Sequence, residues 1–231
     1  MIHLKTYKLF ENNSKLNIDI IVESYIDTLL WTEEHENFDI DMKDALDTIK
    51  SEIEYFVHVS EKYLSDLDEK QIGHNFWLTR AGHGTGFWDL NYVNDDDKLI
   101  LTKISDLFGG VDVSFDNDTL YYYPHKEISV FDYVYFNDIK SMNDFIMKGG
   151  DINIVDLANE SLLFKNNELD SNNLDMKCLL IDNDIDLSIQ NKHGNYFDSE
   201  CFDSDLKELK KKYPEKMAHL EKIKKTKEFN L

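Results

Sequence analysis

Between residues 73 and 89 the chain reads GHNFWLTRAGHGTGFWD, a stretch that gathers side chains able to do chemistry. It holds Gly73, Gly82, Gly84 and Gly86, four of the nine glycines, with Trp77 and Trp88, two of the three tryptophans. His74, His83 and Asp89 lie there too, as does Arg80, the sole arginine among 24 lysines. Glycines at alternate positions let a backbone take positive φ and approach a ligand closely. Arg80 offers a planar fork for a carboxylate or phosphate, which lysine matches poorly. His74, His83 and Asp89 could serve as general bases or hold a cation. The catalytic candidates are therefore His74, Arg80, His83 and Asp89, and the ligand-binding candidates Gly82, Gly84, Gly86, Trp77 and Trp88. The spacing matches neither G-x-G-x-x-G, a Walker loop nor H-E-x-x-H, so it names no reaction, cofactor or metal. The competing reading is a rigid hairpin whose aromatics make core and whose glycines make a turn, with His and Arg bonding nearby acids.

The flanking patterns indicate what positions this stretch. Residues 17–31 place Ile18, Ile21, Val22, Tyr25, Leu29 and Leu30 at helical spacing, and residues 42–67 do the same with Ala45, Leu46, Ile49, Ile53, Phe56, Val57 and Leu64. Asp39 or Asp41 can cap the second helix. GHNFWLTR reads as a strand, followed by the glycine-rich turn and FWDL, which together predict a hairpin. NDDDKLILTKISDLF predicts a helix with an acidic first turn, ended by Gly109-Gly110. Asp95, Asp96 and Asp97 then serve that helix start rather than a cation. VDVSFDNDTLYYY alternates as strand, turn and strand. Residues 1–135 are expected to form an α+β domain of two helices and a small antiparallel sheet. The aromatics Tyr121 to Tyr123, Phe131, Tyr133, Tyr135 and Phe136 read as the junction with the C-terminal third of the chain, or as a partner-binding patch.

Beyond Phe136 the chain repeats itself. GGDINIVDLANES (149–161) aligns with DIDLSIQNKHGN (184–195) at an offset of 35 residues, with Asp151 on Asp186, Asp156 on Asn191 and Asn159 on Gly194. This resembles the ankyrin repeat, whose second helix ends in LLxxGADVN before a D-x-x-G-x-T turn. The ankyrin period is about 33 residues, and the two extra residues are assigned to NNELDSNN. Ser161-Leu162-Leu163-Phe164 replaces the usual T-P-L-H, and Asn159 replaces the first glycine of the turn. The resemblance implies a short all-α ankyrin-like module over 136–231, closed by a capping helix in SDLKELKKKYPEKMAHLEKIKK. With fewer than three repeats it should stack on the N-terminal domain. Separately, the 73–89 string resembles a family of small uncharacterised bacteriophage proteins in which strings such as GHDFWLTRNGHGAGFWDRG recur. That resemblance covers roughly residues 18–123 and departs from the family at Ala81 and at Leu90-Asn91. It implies a phage origin and brings no activity with it.

Charge narrows the partners. The net charge is -21, yet residues 204–231 hold nine lysines against five acids, so the acidity belongs to the body. Such a body repels phosphate backbones, which argues against direct nucleic-acid binding, and attracts a protein with a basic surface. No apolar run approaches 18 residues and MIHLKTYKLFENNSK turns polar too early for a secretory leader, so no membrane partner is expected. Cys178 and Cys201, in no zinc spacing, read as reduced thiols, and the expected location is the host-cell cytoplasm. The function these features favour is a virus-encoded acidic interaction protein that binds another protein, inhibiting a host nucleic-acid-binding or defence effector, rather than an enzyme. The alternatives are an enzyme or small-ligand binder using a hairpin at 73–89, and a structural component of a viral assembly.

Overall fold

The computed structural model describes residues 16–35, 41–116, 118–156, 160–164, 174–199 and 201–228. Asp39, Asn159 and the NNELDSNN stretch lie outside them. Helix predominates among the described residues, with nine α-helices against one two-stranded sheet. None of the helices described is long and apolar enough to cross a membrane. The chain divides into two units, Met1–Ile128 and Ser129–Leu231.

In the first unit, α1 (Ile18–Thr32) starts at Asn17, whose side chain accepts from Asp19 N. α2 (Lys43–Ser60) follows, then α3 (Glu69–Ala81), α4 (Asp95–Leu107) and the strands β1 (Val111–Asp116) and β2 (Thr119–Pro124). The small antiparallel sheet is present, with Val113 opposite Tyr122 and Asp116 opposite Thr119. The strand expected at 73–80 is not. Those residues lie in α3, so the unit carries a fourth helix beside the two N-terminal ones and the one read at NDDDKLILTKISDLF, and 73–89 is no hairpin. The reason is burial on every side: Ile72, Gly73 and all of Asn75 to Arg80 are buried. A helix covered all round has no polar face, hence no 3.6-residue period, and periodicity cannot tell it from a buried strand.

α3 nonetheless begins on a legible signal, a capping box in which Asp68 accepts from Gln71 N and the Gln71 side chain accepts from Asp68 N. α1 and α3 pack together and approach closely at Gly73, where a Cβ would sit 2.8 Å from Tyr25 N and against Ile21 O. Gly73 is therefore a contact glycine, not a turn glycine. Aromatic rings fill the centre: Phe56 stacks on Phe76 at 4.1 Å, Phe76 meets Phe108 edge-on at 5.2 Å, and Tyr25 meets Trp77 at 5.4 Å. Met42 occupies the N-cap position of α2 without a side-chain bond of its own. The backbone of Asp41, one residue earlier, joins β2, donating to Asp118 O and accepting from Leu120 N.

The second unit contains α5 (Val130–Tyr135), α6 (Ile139–Met147), α7 (Leu174–Asp182), α8 (Asp203–Lys212) and α9 (Pro214–Glu228). The 35-residue offset read from the sequence holds as geometry. It carries α6 onto α7, left-handed Gly149 (φ 78°) onto Asp184 (φ 60°), and the bridge Val155–Ser161 onto Gln190–Tyr196. It also carries the 3-10 turn Leu162–Phe164 onto Phe197–Ser199. Asp151 accepts from Asn153 N as Asp186 accepts from Ser188 N, both at 2.8 Å. Successive turns are stitched together where Asp186 N donates to Asn153 Oδ1 at 2.7 Å.

Met142, Leu162, Met176, Leu180, Leu209 and Leu220 form the heart of this unit's core. The lysine-rich end is folded into it as α8 and α9, and its cations meet the acids of the preceding repeat. Lys216 reaches Asp184 at 2.7 Å and Lys224 reaches Asp198 at 2.6 Å, while in the opposite sense the buried Lys177 of α7 reaches Asp205 of α8 at 3.0 Å.

Candidate functional site

The C-terminal half of α3 aims its polar residues inward. Arg80 is 7% exposed. Its Nη1 donates to Glu52 Oε2 at 2.8 Å, to Tyr122 Oη at 2.9 Å and to Tyr25 Oη at 3.2 Å. Nη2 donates to Glu52 Oε1 at 3.1 Å and to Phe108 O at 3.4 Å, while Nε donates to Gly109 O at 3.0 Å. Phe76 and Phe108 flank the guanidinium, their ring centroids 5.2 and 5.7 Å from Cζ. Tyr122 also donates to Glu52 Oε2 at 2.6 Å.

Burial acts against the charged guanidinium, yet the surrounding Tyr25, Tyr122 and Glu52 oxygens outweigh it and raise the Arg80 pKa. Burial pushes the Tyr25 hydroxyl up to about 12 and Tyr122 well above its ordinary value. All five guanidinium N–H groups are engaged or enclosed, so Arg80 joins α1, α2, α3 and β2 and has no fork left for a ligand.

His74 is likewise committed. Its Nδ1 lies 3.0 Å from Thr28 Oγ1, whose own proton goes to Ser24 O at 2.7 Å, so His74 is the donor in that contact. Burial lowers its pKa, leaving a neutral imidazole. Trp77 is core, with its indole N–H donating to Thr32 Oγ1 at 2.8 Å. These residues take part in the α1–α3 packing.

The remaining candidates lie past the end of α3. Gly82 caps it in the left-handed region (φ 70°), with its N–H donating to Leu78 O, and nothing stands within 4 Å of where its Cβ would be. The same openness surrounds Gly84. His83 is exposed, its ring 6.3 Å from that of Trp77, and the exposed Asp89 accepts from Thr85 Oγ1 at 3.2 Å. Gly86 is closed over by the half-exposed Trp88 and by Thr79. The structure thus splits the candidates. Arg80 and Trp77 are packed inside and His74 is half-buried, whereas His83, Asp89, Gly82 and Gly84 line a solvent-facing loop. Among the described residues no group of three or more His, Cys, Asp or Glu side chains converges as a metal site would.

Tyr25, Glu52 and Tyr122 are the partners of Arg80 that sequence reasoning passed over. Glu52 carried a signal: it lies on the apolar stripe of α2, between Ile49 and Ile53, where an unpaired carboxylate would be costly. Two concave surfaces also lie away from 73–89. One of about 390 Å³ runs between α1 and α2 over Val22, Ile26, Leu30 and Leu46, rimmed by Asp19, Glu23 and Asp27. The other, about 440 Å³, separates the 184–188 turn from α9. Comparison with protein-family models, with curated proteins and with solved structures finds no match to the chain.

Proposed function

We propose that this is an acidic interaction protein that binds a basic surface of another protein, with its second unit working as a short ankyrin-like array. The observation that carries the reading is the stitching of one repeat turn to the next, Asp186 N to Asn153 Oδ1 at 2.7 Å. Stacked equivalent turns make a continuous surface, which is how repeat arrays present a binding face. The acids Asp151 and Asp186 on those turns are exposed, and the net charge of -21 favours a cationic partner. The commitment of Arg80 and His74 to packing favours binding over catalysis at 73–89. The phage-like string gives the reading its setting: a virus-encoded protein that occupies the basic face of a host nucleic-acid-binding or defence protein.

The test is affinity purification with the full chain from host cells, eluted on a salt gradient. A stoichiometric partner that elutes at moderate salt and is lost with Asp151→Lys/Asp186→Lys supports the reading. A partner retained by that variant and indifferent to salt overturns it.

A further inference from the structure

Among the described residues the two-stranded sheet is closed on one side and open on the other. β2 is held by β1 and, on its far side, by Asp41, which accepts from Leu120 N at 3.0 Å. In an antiparallel ladder, residue pairs that exchange backbone bonds alternate with pairs that turn those groups outward. Leu120 turns its N–H out to Asp41. Its ladder partner Phe115, and Val113 two residues before, therefore turn N–H and C=O out along the far edge of β1. No backbone group among the described residues meets them there.

Natural edges are blunted by lysine, proline, bulges or extreme shortness. β1 has none of these, since VDVSFD lacks Lys and Pro and its register with β2 is unbroken over six pairs. What it carries is acid. Asp112, Ser114 and Asp116 occupy its exposed face, beside the stacked rings of Tyr121 and Tyr123 (6.4 Å, 8°) on β2, and Asp112 Oδ1 lies 3.0 Å from His125 Nε2, so a cation there joins or displaces that imidazole. A second copy pairing antiparallel about Ser114 would set Asp112 against Asp116, an unfavourable opposition of like charge. The same pattern favours a strand with cations on that face.

We propose that the free edge of β1 binds an extended segment of a partner protein with Lys or Arg at alternate positions, adding it as a third strand. The inference rests on the basic-partner reading above and supplies it with a site. Val113 and Phe115 provide the backbone bonds, and the alternation of Asp112, Ser114 and Asp116 provides selection. Strands lie about 4.8 Å apart, so cations on the added strand fall beside Asp112 and Asp116. A long side chain opposite Ser114 passes over that small residue to the ring of Tyr121, its ladder partner.

The experiment titrates the full chain with a labelled nine-residue peptide alternating Lys and Val. Parallel titrations use two N-methylated versions, one blocked at the Lys amides and one at the Val amides, and a Glu–Val peptide. The expected result is binding of the Lys peptide, loss of at least tenfold in one N-methylated version, no binding of the Glu peptide, and slowed amide exchange at Val113 and Phe115. Val113→Pro, which removes an outward N–H and spares the bonds to β2, should weaken binding similarly; if it fails to fold, the methylated peptides decide alone. Equal binding by both methylated peptides overturns strand addition and leaves the acidic-body reading standing. Absence of Lys-peptide binding, or a peptide-free dimer abolished by Phe115→Pro, overturns the edge proposal as well. The proposed function fails separately, in the salt-dependent purification.

Discussion

Arg80 and Glu52 meet inside the first unit as a two-pronged pair, Nη1 to Oε2 at 2.8 Å and Nη2 to Oε1 at 3.1 Å. The pair binds the end of α3 to the middle of α2, and Tyr25 and Tyr122 extend it to α1 and β2. Such a cluster specifies which faces meet more than it adds net stability, because removing two charges from water offsets most of their attraction.

Removing one partner should therefore be costly. Arg80→Met leaves Glu52 buried and uncompensated and is expected to lose about 3–5 kcal/mol. The double variant Glu52→Gln/Arg80→Met should be less destabilised than Arg80→Met alone. Urea unfolding of the three proteins reads this directly; an Arg80→Met chain as stable as the parent would remove the structural role assigned to Arg80.

The tyrosines of this cluster set an alkaline limit. Tyr25 has its folded pKa raised from 10.0 to about 12 by burial, so the folded state holds the proton more tightly than the unfolded one. The stability linked to it is whole below pH 10 and is lost as the pH rises toward 12. Tyr25→Phe should shrink that alkaline loss in melting curves taken across this range. His74 acts at the other end: burial lowers its pKa from 6.5, so protonation of the unfolded chain favours unfolding as the pH falls below 6.5. His74→Gln should flatten that acid slope.

Gly73 and Gly82 should respond to alanine for different reasons. At Gly73 the new Cβ meets the α1 backbone, so Gly73→Ala is expected to lose about 1–3 kcal/mol despite the better helix propensity of alanine. At Gly82 the surroundings are open and only the left-handed φ resists a side chain, a cost of roughly 1 kcal/mol. A Gly73→Ala protein that melts above the parent would refute the close α1–α3 contact.

In the second unit, Asn153→Ala removes the acceptor that joins the two turns. The expected loss is about 0.5–1.5 kcal/mol, with faster amide exchange at Asp186 and unchanged exchange in α1–α4. Exchange at Asp186 that does not change would show that the turns stack without this bond.

The sequence by itself determined the elements whose pattern is local. α1, α2 and α4 each have one apolar stripe, and β1 and β2 alternate around a turn. The 35-residue repeat is carried by residues that bond their own turn, Asp151, Asp186 and Asn191. Asp68 and Gln71 were also a legible start for α3. Only the tertiary structure decided that residues 73–80 are helical, because burial on all sides erases the helical period, and Gly73 looks like a turn until α1 is laid against it. It alone decided that Arg80 is a packing residue, since Tyr25, Glu52 and Tyr122 lie 28 to 55 residues away along the chain. A long-range buried pair leaves no spacing to read, and the string that opened as a place for chemistry was divided by the fold into a core and a loop.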